Sequence, residues 1–347
     1  MRRTAIGALF LLAGVLAGAH SAAADEVADF YRGKQVKLII GYAPGTGYDV
    51  HARLLGRHLG RHIPGEPTII PQNMEGAGSL RAGLYVYNVA EKDGLSIGAM
   101  NRSMVLAPLL ETIESNQADF DPRKLGWIGS INSATTVGVV WAASGLTKFD
   151  DLRQREVIVS SDQTTSDSYV FAQLMNNLLG TKLKVITGYS GTTASYLAME
   201  RGETTGYMGT SYSSLKSTKP DWIRDKKVNI LIQVALKPDP ELKGVPIITD
   251  LAKTATEKQA LEVLLAPQEM ARPYFTSPGV DPKRLAALQK AFMETMKDPA
   301  FIADAQKLSI DIDPMDGRDI VPLLDKIYKS TPEAVAAAKR AIAVEKK

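Results

Sequence analysis

The chain has 347 residues, 45% of them apolar and 23% charged, the composition of an ordinary folded globule of roughly two domains. A formal charge of +3 excludes nucleic-acid binding by bulk electrostatics, which requires a concentrated basic stripe. The complete lack of cysteine excludes disulfides, thiolate metal sites and cysteine nucleophiles.

Arg2 and Arg3 precede an uncharged run from Ala5 to Ala19, followed by His20-Ser21-Ala22-Ala23-Ala24 and then Asp25-Glu26. A basic end, a short apolar run and small residues before a cleavage point read as a secretory signal peptide over 1–24. The run is too short to span a bilayer as a helix, so the expectation is an exported protein, periplasmic where the host has two membranes.

Val36 to Tyr42 is a β-rich apolar run ending in turn residues, which predicts a buried strand. A glycine loop, Ala43 to Asp49, leads into helical spacing at Val50, Leu54, Leu55, Leu59 and Ile63 that stops at Pro64-Gly65. The same strand, Gly-rich turn and helix recur from Thr68 through Gly76 and Gly78 to Ala90, and a third strand starts at Leu95. After Gly126 the predicted strands are Thr136–Trp141, Val157–Ser161, Leu183–Thr187, Thr205–Met208 and Val228–Val234. Helices are predicted over Ser168–Leu179, Thr193–Arg201 and Tyr212–Asp225. The final third reads as mostly helical, with amphipathic segments at Pro282–Met296 and Ile320–Tyr328. Strands alternating with helices imply α/β layers with parallel sheets. The division expected is one lobe from 25–135 plus 235–347 and a second from 136–234, joined near Ser133–Thr136 and Val234–Pro238, with a ligand cleft where carboxyl ends of strands meet.

The loop Gly41-Tyr42-Ala43-Pro44-Gly45-Thr46-Gly47-Tyr48-Asp49 offers backbone amides and a helix N-terminus to an anion. No lysine follows Gly47 and Val50 stands where a dinucleotide fingerprint needs glycine, so both nucleotide patterns fail. Asp49 serves equally as a ligand contact or a helix cap. Ser160 to Ser168 and Tyr189 to Thr193 repeat the arrangement after later strands, with hydroxyls and amides. No catalytic group emerges. Gly188-Tyr189-Ser190-Gly191 lacks the second glycine of a nucleophile elbow at Thr192. The histidines end at His62, so the second half offers no histidine base. His58 and His62, four apart, could share a metal, but Arg53, Arg57 and Arg61 interleave with them and favour a solvated basic face.

In order along the chain, Lys37 to Asp49 resembles the strand and P-G-G-x-x-D loop of the Bug/TctC family. These are the extracytoplasmic solute receptors of tripartite tricarboxylate transporters. Gln72-Asn73-Met74-Glu75-Gly76-Ala77-Gly78 resembles that family's E-N-x-x-G-A-G, Lys92 to Gly98 its P-D-G-Y-T-L, Gly188 to Thr192 its P-Y-K-G-S, and Arg272 to Pro282 its late A-P-x-G-T-P element. The resemblance spans Tyr31 to the C-terminus. It implies a type II periplasmic-binding-protein architecture: two lobes, parallel or mixed sheets and an interlobe cleft. It also implies capture of a small organic acid, a di- or tricarboxylate or an aromatic carboxylate, for delivery to large and small membrane subunits. The chain would act as a monomer without cofactor, metal, catalysis or nucleic acid.

Carried over, the ligand-binding residues are Tyr42, Ala43, Pro44, Gly45, Thr46 and Asp49 in the first lobe, with Ser161, Thr165, Ser166, Ser168, Tyr189, Gly191 and Thr192 in the second. The chain departs from the family at Thr46, Tyr48, Ser190 and Gln163-Thr164-Thr165, so ligand identity does not transfer. Tyr42, Tyr48 and Tyr189 either wall an aromatic acid or pack the lobe edges. An exported two-lobe hydrolase and a receptor feeding a sensor kinase are the alternative readings.

Overall fold

The computed structural model describes residues 26–112 and 120–343; the expected signal peptide over 1–24 lies outside the described residues. The chain forms two sheets flanked by helices, a two-lobed α/β fold. The first sheet contains β1 (Gln35–Ile40), β2 (Thr68–Asn73), β3 (Ser96–Ala99), β4 (Gly126–Ser130), β10 (Pro273–Thr276) and β11 (Met315–Asp316), in the order β11-β4-β10-β3-β1-β2. The second contains β5 (Thr136–Trp141), β6 (Val157–Ser160), β7 (Leu183–Ile186), β8 (Gly206–Ser211) and β9 (Val228–Val234), in the order β7-β6-β8-β5-β9.

The predicted strands are present, but both sheets are mixed rather than parallel. β10 runs against β3 and β4, and β5 runs against β8 and β9. The cause is the route of the chain. Thr136 at the start of β5 pairs with Ser211 and Val234 at the carboxyl ends of its neighbours, and Pro273 at the start of β10 pairs with Ser130 at the end of β4. Each of these strands comes from the other sheet and enters at the edge where its neighbours finish. It can only run back against them. The alternation of strands and helices carries no trace of this, because β10 is a four-residue strand in a stretch that reads as mostly helical.

Two helices also differ from expectation. Tyr212–Asp225 divides into Tyr212–Thr218 and Pro220–Arg224, since Pro220 has no N–H to continue the ladder and favours the first helical position. The helix after β2 is short, Leu80–Leu84, and widens into a π turn over Tyr85–Val89.

Alternation in β1 buries Val36, Leu38 and Ile40 with Leu54, Leu55 and Leu59 of the helix Gly47–Leu59. Around the other side of the sheet, Phe275 of β10 packs beside Trp127 of β4 at a ring separation of 5.4 Å. No described helix is long and apolar enough to cross a membrane.

Candidate functional site

The first loop is organised from beneath by Asp49. Its carboxylate accepts from the Gly45 N–H at 2.9 Å, from Asn73 Nδ2 at 2.8 Å and from Arg53 Nε at 2.9 and 3.0 Å. The side chain is 3% exposed and faces its own loop, so Asp49 ties the turn rather than lining open space. Thr46 caps the helix Gly47–Leu59 and donates its hydroxyl to Ala43 O at 2.9 Å. His51, buried below, donates from Nδ1 to Gly47 O at 2.6 Å, and burial beside the Arg272 charge pushes its pKa down to about 3. A neutral His51 serves the loop only as a donor. Asp49→Ala removes the buried carboxylate that Gly45 N, Asn73 Nδ2 and Arg53 Nε share, and hydrogen bonds to a charged group contribute about 1.5–3 kcal/mol; a thermal melt is expected to show roughly 2 kcal/mol of lost stability.

The second loop follows β6. Ser161, Ser166 and Ser168 form a buried hydroxyl cluster with oxygen separations of 2.8 to 3.1 Å. The third loop is tied to it: Gly188 N donates to Asp162 O at 3.0 Å and Tyr189 N to Ser161 O at 3.2 Å. From there the helix Thr192–Glu200 begins, and the N–H groups of its first turn have no intrahelical acceptor.

A cavity of about 480 Å³ lies where these turns meet. Gly41, Tyr42 and Ala43, with Glu75, Gly76, Gly78, Ser79 and Arg81 from the turn after β2, form one side. Asp162, Gln163, Gly188, Tyr189, Ser190 and Gly191 form the other. Of the residues expected at the site, Tyr42, Ala43, Tyr189 and Gly191 line the space. Pro44 and Gly45 are exposed and outside the lining, and Thr193 Oγ1 reaches Gly45 O at 3.4 Å. Thr46, Ser161, Ser166 and Ser168 are buried as turn supports. Thr192 faces Tyr207 Oη at 3.4 Å, and Thr165 closes against Gly78, where an added methyl would sit 2.7 Å from Thr165 Oγ1. Tyr42 and Tyr48 stack at 4.6 Å with planes 8° apart, and the Tyr42 hydroxyl accepts from Asn101 Nδ2 at 2.8 Å.

Several polar residues at the junction escaped the sequence reading. Arg102, 1% exposed, pairs with Asp167 across the two halves at 2.7 Å and donates to Thr136 Oγ1 at 2.7 Å. Ser103 Oγ donates to the same Asp167 carboxylate at 2.6 Å. Arg272, 3% exposed, donates to Ser211 and Ser214, both at 2.6 Å, and stacks over Tyr48. Asp162, 8% exposed, belongs to the turn after β6 and lines the cavity. The loop after β3 would have revealed Arg102 had the carboxyl-end rule been applied to that third strand. His58 and His62 meet Asp304 and Asp298 at 3.1 and 2.8 Å, and among the described residues no three ligating side chains are grouped for a metal.

Neither a protein-family model nor a curated protein matches the sequence. Solved structures do. The periplasmic binding protein BugD is 17% identical, with a TM-score of 0.71 over 90% of this chain and 98% of that one. MatC of Rhodopseudomonas palustris, solved with bound malate, is 16% identical, with a TM-score of 0.68 over 89% and 99%. Rpa4515 of R. palustris, solved with adipate, is 15% identical, with a TM-score of 0.67 over 88% and 97%. The chain thus has the Bug/TctC periplasmic-binding-protein fold that its motifs resemble.

Proposed function

We propose that the chain is a periplasmic receptor that captures a small organic carboxylate between its lobes and delivers it to a tripartite tricarboxylate-type membrane transporter. The lobes on this reading are 25–135 with 235–347 and 136–234, and export follows cleavage after Ala24. One observation carries the reading: the turn before the helix Gly47–Leu59 and the turn before the helix Thr192–Glu200 approach from opposite halves around one polar cavity. Helix N-termini and preformed amides favour an anion, and hydrogen bonds to an ionised carboxylate are about twice as strong as neutral ones. Binding shared between halves favours the closed arrangement through differential affinity. The malate and adipate held by structures of the same fold are carboxylates.

A thermal-shift screen with malate, adipate, citrate and benzoate tests it. A true ligand at a hundredfold its Kd stabilises by about 2.7 kcal/mol and raises the melting temperature, with a calorimetric stoichiometry of one. Failure of every mono-, di- and tricarboxylate to do so at millimolar concentration overturns the reading.

A further inference from the structure

The two buried arginines at the junction stand in opposite electrostatic situations. Arg102 has its counter-ion in Asp167. Arg272, just before β10 and 3% exposed, has no ion-pair partner among the described residues. Its Nη2 donates to Ser211 Oγ and Ser214 Oγ, and its Nη1 to Ala271 O. Its plane lies over the Tyr48 ring at 4.4 Å, and its Nε is buried without an acceptor. Every one of these partners is neutral. The surroundings add to the cost. Ser211 caps the helix Tyr212–Thr218, and a Cβ on Gly47, which opens the helix Gly47–Leu59, would stand 3.7 Å from Nη2. A helix N-terminus carries positive partial charge and disfavours a cation. Of the charged groups acting on Arg272, Arg102 repels it, and Asp167 is already held by Arg102. His51 beside it is neutral and brings no charge. A buried charge that no opposite charge meets is costly, and access to water removes the cost.

We infer that Arg272 is a positioning residue that opposes closure of the empty molecule. Arg272 and its two serines belong to different halves in the division proposed above, so the uncompensated guanidinium loads its penalty onto contact between them. The inference rests on the receptor reading, which supplies an open and a closed arrangement. It gives Arg272 the reverse of the role of Arg102, although both cross the same junction. The empty molecule then rests open, and a guest closes it through contacts made to both halves at once.

Small-angle scattering of the mature chain tests it, with Arg272→Gln and Arg272→Met to remove the charge and Arg272→Lys to keep it. The reference is the contraction in radius that saturating malate or adipate causes in the wild-type chain, binding being established by calorimetry. With no carboxylate added, a neutral variant is expected to show at least half of that contraction already, and Arg272→Lys to match the ligand-free wild type. A folded neutral variant as extended as the ligand-free wild type, or more so, overturns the inference. Contraction of Arg272→Lys as well overturns it too, because side-chain shape then accounts for the change. So does failure of both neutral variants to fold, since a charge that merely opposes closure is dispensable to folding. If malate or adipate binds while the wild-type radius stays constant, this inference falls and the receptor reading stands. If no carboxylate binds, both fall.

Discussion

Arg102→Met is expected to weaken carboxylate binding by about a hundredfold and to expand the molecule in solution. The guanidinium and the Asp167 carboxylate are both buried, at 1% and 6% exposure, and they belong to different halves: Arg102 follows β3, whereas Asp167 opens the helix after β6. Removing one partner of a buried pair leaves the other charge without compensation, which costs about 3–5 kcal/mol. On the receptor reading the molecule has an escape, because separating the halves would return Asp167 to water. The cost therefore falls on the closed arrangement. With 1.4 kcal/mol per factor of ten in affinity, a 3 kcal/mol penalty on closure gives the expected loss. Removing both charges with Arg102→Met/Asp167→Asn is expected to recover most of it, since the asparagine oxygen still accepts from Ser103. Small-angle scattering and calorimetry check the three proteins together. An unchanged radius and affinity in the single variant would show that the pair does not hold the halves together.

Gly209→Ala is expected to destabilise by about 3 kcal/mol or more. A Cβ at this position in β8 would stand 2.3 Å from Ser168 Cα and 2.4 Å from Ser168 N. Both obstacles are backbone, so no side-chain rotation relieves them. Overpacking ordinarily costs about 1–3 kcal/mol, and a collision with main chain belongs at the upper end. Relief requires moving the start of the helix Asp167–Leu179 away from the sheet. That displaces Ser168 from its contacts with Ser161 and Ser166 and shifts the turn carrying Asp162. Denaturant unfolding should show the lost stability, and ligand titration should show weakened binding in whatever fraction remains folded. A loss below about 1 kcal/mol would mean that helix and strand separate with little resistance.

The elements that determine most of the layout were readable because each is encoded locally. Val36, Leu38 and Ile40 announce a buried strand, and the glycines with Asp49 announce the turn after it. Asp49 itself could not be assigned from the chain, because its three donors include Asn73, twenty-four residues away. The burial of Arg102 and Arg272 was hidden for a stronger reason. A lone arginine in a loop reads as solvated, and these become buried only where two distant stretches close on each other. The opposite error affected Ser161, Ser166 and Ser168, whose hydroxyls look available in the sequence but are consumed by one another. The antiparallel entry of β5 and β10 was hidden likewise, since direction in a sheet depends on where the chain arrives from.

The position of β10 has a consequence for how the molecule is made. It lies between β3 and β4 and is hydrogen-bonded to both, yet it emerges after every strand of the second sheet. Until Pro273 to Thr276 arrive, the earlier strands of the first sheet are split into two pieces without their shared neighbour. The second sheet is complete by Val234 and can consolidate first, while the half that begins the chain waits for its middle. Assembly of that half is a closure over more than 140 residues, a slow long-range step, and apolar strand edges stay uncovered meanwhile. Such a chain gains from a chaperone that holds it unfolded until Pro273 to Thr276 have been made.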